Sequence, residues 1–413
     1  MDPTPAAGMD APPPTAEPGA DGTASADALA QLASHLELDR PQRPELAVQP
    51  FATVPLTAGD AAMARELLWQ ELAAHVRDTR ADEHAQNSIT LDGFTLRYET
   101  VVLGDEPATG RDLFISMHGG GSGPASSNDS QWRNQVSLAS GYAPEHALWV
   151  APRAPTDDWN MWFKDHIEPL FDRLITNMIV FEGIDPDRVY LNGYSAGGDG
   201  VYGLAPRSAD RWAGAGMSAG HPNGVSLANL RNVAFALHVG GNDSAFERNQ
   251  VAQEYIELHR ALQAADPGAY PFQGMVHPGL PHWMDLADAV SIPFLQDHTR
   301  PAAPERVVWE QHEIVTTRMY WLAVDGVEAR DGTRVVARLE GQTVTIEELE
   351  GIAALRVRLD DSMLDLDLPV VIEHAGTVLF EDRVPRTAAA LADTLYERED
   401  PAQVYSGEIL VQP

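Results

Sequence analysis

The stretch Asp187 to Pro206, DRVYLNGYSAGGDGVYGLAP, places one serine between glycines where two opposed patterns meet. Val189, Tyr190 and Leu191 read as a short buried strand. From Ala196 the chain reads as a helix with an acidic residue, Asp199, in its first turn. A strand that turns directly into a helix brings the two backbones close together. A side chain at Gly193 or Gly197 would collide with the neighbouring element, and Ser195 is pressed into strained backbone. Such a turn needs a strand buried inside a sheet, with the serine raised at the sheet's edge.

The rest of the chain supplies that sheet. From Ser88 extended segments alternate with helical ones: Ser88 to Leu91, Phe94 to Leu103, Asp112 to Met117, Ala147 to Ala151, Val189 to Asn192, Trp212 to Ser218, Val233 to Val239 and Tyr270 to Val276. Between them lie amphipathic helical patterns at Trp162 to Phe181 and Glu247 to Ala264. This alternation predicts a mostly parallel sheet with helices on both faces, over 88–300. Residues 1–26, rich in Pro, Ala, Gly, Thr and Asp, are expected to form a disordered tail. A helical region over 27–87 follows, with helices near Asp27 to Leu38 and Ala58 to Asp78. After Pro301 to Pro304 the helical pattern stops. Residues 305–413 read as short alternating strands, a small all-β sandwich-like domain with one helix near Thr387 to Leu395.

A serine is a weak nucleophile and needs a base, an orienting acid and an oxyanion site. The second strand beyond the serine runs into Gly240, Gly241, Asn242 and Asp243, which makes Asp243 the candidate acid. An N-cap is the plainer role for the same residue. The next strand runs into HPGLPHWM, where His282 is the preferred base and His277 its rival. FISMHGGGSGPAS carries a strand into His118, Gly119, Gly120 and Gly121. Glycines let backbone N–H groups approach an oxyanion, so Gly119, Gly120 and Ala196 are the expected donors. Trp159, Trp162 and Trp283 flank these segments and are candidates for a substrate pocket, with core packing the alternative. Asp199 and His221 also lie close in sequence, and helix-terminal charge and loop capping account for them.

These segments resemble the poly(3-hydroxybutyrate) depolymerase and feruloyl esterase branch of the α/β-hydrolases. The resemblance rests on the elbow, on APRAPTDDWNMWF, which is similar to that branch's Trp-Asn-Trp-Phe segment, and on DPDRVYLNGYSAGG followed by SAGHPNG. It covers about Asp112 to His298. It implies an α/β-hydrolase fold and a serine, aspartate and histidine at Ser195, Asp243 and His282. Members are often secreted and contain cysteines; this chain contains no cysteine.

The composition narrows the partners. Without cysteine there are no disulfides, thiolate metal sites or cysteine nucleophile, and no cofactor or metal is implied. A formal charge of −33, with Lys164 the only lysine, disfavours nucleic acid and anionic membrane. No apolar run is long enough to span a bilayer, and MDPTPAAGMDAPPP lacks the marks of a secretory signal, so a cytoplasmic protein is expected. The expected activity is cleavage of a small or oligomeric carboxylic ester through an acyl-enzyme on Ser195. A serine peptidase of prolyl-oligopeptidase type and a non-catalytic binding protein on the same scaffold are the alternatives. Oligomeric state and substrate identity are not legible.

Overall fold

The structure, a computed structural model, describes residues 21–412. Its centre is an eight-stranded sheet: β1 Ser88–Leu91, β2 Phe94–Leu103, β3 Arg111–Met117, β4 Ala147–Arg153, β5 Ile184–Tyr194, β6 Gly214–Ser218, β7 Ala234–Gly240 and β8 Phe272–His277. The spatial order is β1-β2-β4-β3-β5-β6-β7-β8. β1 and β2 are antiparallel additions, and all pairings from β4 to β8 are parallel. This is the α/β-hydrolase fold.

Successive side chains of the central strands enter different cores, as the two-residue period of a strand requires. Leu113, Ile115, Val189, Leu191, Phe235 and Leu237 join one apolar cluster. That face is covered by α4 Ile167–Glu182, α5 Ala196–Arg207 and α6 Arg248–Ala265. The intervening Phe114, Trp149, Tyr190 and Ala236 join another, with α3 Ala125–Tyr142 and α7 Ser291–Gln296. Neither α3 nor α7 stands out in the sequence. The inner face of α3 carries Asn128 and Gln135, both buried, which hides its amphipathic period.

The C-terminal part forms two further sheets. Five strands, β9 Arg306–Glu310, β12 Arg334–Glu340, β13 Thr343–Glu350, β15 Val370–His374 and β16 Thr377–Asp382, order as β16-β15-β13-β12-β9. Four, β10 Arg318–Met319, β11 Leu322–Ala323, β14 Leu355–Leu359 and β17 Gly407–Val411, order as β10-β11-β14-β17. β10 and β11 are only two residues each, paired around a turn in which Tyr320 takes φ +52°. The core does not stop at the junction. Val307, Trp309, Trp321 and Val335 belong to the same apolar cluster as α4 to α6.

The N-terminal helices close onto the opposite end of the chain. α1 Gly22–Leu36 and α2 Ala58–Ala85 bury Leu32, Leu68, Leu72 and Val76 against Leu391 and Leu395 of α8, Ala388–Arg398. Arg80 grips Glu399 with both guanidinium nitrogens, at 2.7 and 2.6 Å. Residues 1–20 of the expected tail lie outside the described residues. The remainder is helical from Gly22, because Asp21 accepts from the Thr23 amide and buried Ser25 hydrogen-bonds Asp60 and accepts from the Thr57 amide. Among the described residues no helix is long and apolar enough to cross a membrane.

Candidate active site

The turn between β5 and α5 has the predicted geometry. Ser195 sits at φ 58°, ψ −121°, a region that costs roughly 1–3 kcal/mol for a residue with a side chain. A Cβ on Gly193 would lie 2.0 Å from the Gly197 carbonyl oxygen, and one on Gly197 would lie 2.0 Å from that of Met117. Both are contacts with backbone, which cannot yield. The β6 segment steadies the turn, since the Ser195 amide donates to the Ser218 carbonyl at 2.9 Å.

His282 stands between the serine and Asp243. Its Nε2 is 3.0 Å from Ser195 Oγ and its Nδ1 is 2.6 Å from Asp243 Oδ2. The carboxylate can only accept, so Nδ1 carries the proton and Nε2 offers its lone pair to the serine hydroxyl. Asp243 is buried, and its other oxygen faces Arg248 Nη1 at 3.4 Å. Two loops hold this pair in register. The Gly241 amide donates to the His277 carbonyl at 2.7 Å, and the Asn242 amide to that of Leu280 at 2.9 Å.

The rival histidine has a different setting. His277 is buried with Nε2 3.0 Å from His238 Nδ1, and His238 Nε2 faces Gln273 Oε1 at 3.1 Å. Burial lowers the pKa of His277, and that of His238 to about 4. Neither ring is bonded to Ser195. The structure brings His282 to the serine, and not His277.

Around the glycines, His118 acts as a brace. Its Nδ1 donates to the Gly119 carbonyl at 2.6 Å, and Nε2 accepts from the Ala154 amide at 3.2 Å. Burial pushes its pKa down to about 4, so the ring is neutral near pH 7. Trp162 is fully buried and its indole N–H donates to the His118 carbonyl at 2.8 Å. That corrects the expectation that Trp162 lines a substrate pocket: it supports the loop from the core. The Gly121 amide is taken by Asn128 Oδ1 at 2.8 Å. The amides of Gly119, Gly120 and Ala196 have no hydrogen-bond partner among the described residues. Gly119 borders the nucleophile, since a Cβ there would lie 3.0 Å from Ser195 Cβ.

Trp159 and Trp283 are 56% and 45% exposed, the condition for contact with a ligand. Trp283 packs against Tyr194 and Trp159 against Phe163, with ring centroids 5.5 Å apart in each pair. Asp199 accepts from the His221 amide at 2.7 Å, the loop-capping role expected of it. Two contributors carried no sequence signal. Tyr194 Oη donates to the His282 carbonyl at 2.7 Å and accepts from the Met284 amide at 3.0 Å, clamping the histidine loop. Asn128 bridges the Gly121 amide and Asp157 Oδ1 from an otherwise polar helix.

No family model matches the chain, and no curated protein matches it. Solved structures do. A poly(3-hydroxybutyrate) depolymerase, LpqC, from Bordetella parapertussis is 20% identical, over 53% of this chain and 94% of that one, with a TM-score of 0.40. A thermostable esterase is 17% identical over 52% of this chain and 62% of its own, with a TM-score of 0.38. A putative dipeptidyl aminopeptidase IV from Bacteroides ovatus is 12% identical over 51% of this chain and 35% of its own, also at 0.38.

Proposed function

We propose that this protein is a serine hydrolase that cleaves carboxylic esters through an acyl-enzyme on Ser195. The observation that carries the reading is the unbroken chain from Asp243 through His282 to Ser195, at 2.6 and 3.0 Å, on a strained turn that lifts the hydroxyl out of the sheet. His282 Nε2 takes the hydroxyl proton as Ser195 Oγ attacks the ester carbonyl carbon. The buried Asp243 carboxylate holds the tautomer and stabilises the imidazolium that forms. The unpartnered amides of Gly119, Gly120 and Ala196 are the donors available to the tetrahedral oxyanion, and one such donor contributes about 3 kcal/mol. The imidazolium then protonates the departing alkoxide, leaving the acyl group on Oγ. Water, deprotonated by the same Nε2, releases the acid and restores Ser195.

His118 is excluded as the base by its two backbone hydrogen bonds, which occupy both ring nitrogens. The test is hydrolysis of p-nitrophenyl esters of graded chain length by the wild type and Ser195→Ala. Turnover is expected only in the wild type, with unchanged thermal melting. Equal turnover in the variant would refute the assignment.

A further inference from the structure

A cleft opens where the α/β unit meets the C-terminal β-domain. Phe163, Asp199 and Val225 line it from the α/β side, and Glu310, Glu313 and Ile314 from the β-domain side. Two sets of contacts make it a neighbour of the candidate active site. Asp199 lies one helical turn beyond the nucleophile, its amide donating to the Ser195 carbonyl at 3.0 Å. On the other side the glycine loop abuts Trp159, since a Cβ on Gly121 would lie 3.1 Å from Trp159 Cα, and Trp159 packs edge-on against Phe163.

The charges of this cleft are unequally neutralised. Arg207, also in its wall, is held by Glu168 at 2.7 Å. Glu310 is held by Arg334 at 2.8 Å and faces His312 at 3.1 Å. Asp199 and Glu313 have no side-chain cation within ion-pair distance among the described residues. Two acidic residues without an ion-pair partner thus line a cleft that Phe163 also lines, in a molecule of net charge −33. That combination suits a cation, which gains from the carboxylates, from an aromatic neighbour and from the long-range field. Burial raises the pKa of Asp199, while the His221 amide and the more distant Arg248 guanidinium pull it down.

We propose that this cleft binds an ammonium-bearing portion of the ester, with Asp199 from the α/β unit and Glu313 from the β-domain as its charge-recognising residues. The assignment rests on the ester-hydrolase reading of Ser195. The β-domain then has a role in selecting substrate, through the segment that follows β9.

The experiment compares two pairs of esters in which carbon replaces a quaternary nitrogen. One pair, butyrylcholine and 3,3-dimethylbutyl butyrate, charges the alcohol. The other, p-nitrophenyl 4-(trimethylammonio)butanoate and p-nitrophenyl 5,5-dimethylhexanoate, charges the acyl group. In one pair the cationic ester is expected to have a kcat/KM about tenfold higher. Asp199→Asn, which keeps the acceptor for the His221 amide, and Glu313→Gln, on an exposed loop, should each erase most of that preference and leave the neutral ester unchanged. A preference that is absent, or that survives both substitutions, overturns the proposal. Calorimetric binding of the same esters to Ser195→Ala separates the two readings. Cation-selective binding lost on adding Asp199→Asn, without turnover by the wild type, would keep the cleft and sink the esterase; binding blind to charge would sink the cleft.

Discussion

Replacing Asp243 by asparagine changes no heavy-atom count yet should nearly abolish turnover. The reason lies in its two oxygens. Oδ2 faces His282 Nδ1 at 2.6 Å and Oδ1 faces Arg248 Nη1 at 3.4 Å. An asparagine amide has one oxygen and one NH2, and the guanidinium can only donate, so the amide oxygen settles toward Arg248 and the NH2 toward His282. Nδ1 must then accept, the ring proton moves to Nε2, and the lone pair that should receive the serine proton is gone. The wrong tautomer costs about 10⁴-fold in kcat in a serine triad. The orienting contact from Arg248 is long, worth about 1 kcal/mol. Adding Arg248→Met to Asp243→Asn therefore frees the amide to flip and should restore about fivefold. The assay is kcat for a p-nitrophenyl ester in the two single variants and the double. If Asp243→Asn keeps more than about a tenth of wild-type kcat, the tautomer argument is wrong. If Arg248→Met lowers activity further in that background, the amide is not held as described.

Three other expectations follow from the structure. Tyr194→Phe leaves the His282 carbonyl and the Met284 amide without their partner, two hydrogen bonds of about 1 kcal/mol each, so both melting temperature and kcat should fall; no change in either would show the clamp to be idle. Asp400→Asn breaks a buried cluster in which Asp400 meets Arg211 at 2.9 Å and Arg300 at 2.6 Å, and urea unfolding should register a loss of about 3–5 kcal/mol, with a loss near zero contradicting the cluster's role. Acid should weaken the fold: His118, His238 and His259 are held at about 4 by burial, whereas unfolded imidazoles titrate near 6.5. The unfolded chain binds protons first, so stability present above pH 6.5 is lost as pH falls toward 4. His259, stacked between Phe235 and Phe272 with both ring nitrogens unpartnered, is the simplest probe. His259→Phe should shrink the drop in urea midpoint between pH 7 and 5, and an undiminished drop would place the titration elsewhere.

The parts of the site that the sequence disclosed are those set by local sterics. Gly193, Ser195 and Gly197 announce a strand-to-helix turn because only glycine survives contacts of 2.0 Å with backbone. Asp243 and His282 follow from counting strands, since each occupies the turn beyond a strand end that the apolar runs already mark. The preference for His282 over His277 comes from the loop with Gly279 and Pro281 that carries it, and the structure sets His282, not His277, against the serine. The Gly241 and Asn242 amides bind the His277 and Leu280 carbonyls, a crossing of loops that no residue pattern encodes.

What was illegible is what joins distant parts of the chain. Arg80 meets Glu399, and the Leu56 amide meets the Arg386 carbonyl, so the N-terminal helices are completed by the C-terminal helix rather than forming a unit of their own. Glu313 and Ile314 read as an ordinary connector after a strand, and they become cleft walls only because Asn229 binds the Glu310 backbone through both its amide groups, at 2.7 and 2.9 Å. The proposed chemistry and the proposed selectivity therefore reside in different kinds of information. The groups proposed to break the bond sit in turns whose shape a handful of neighbouring residues enforce. The groups proposed to choose the substrate sit at a junction of two folding units, where one-residue shifts in packing would move Glu313 away from Asp199 without disturbing a single catalytic motif. A chain with the same elbow, glycine loop, acid and base is thus free to differ in substrate, and the junction is the place where that difference should be sought.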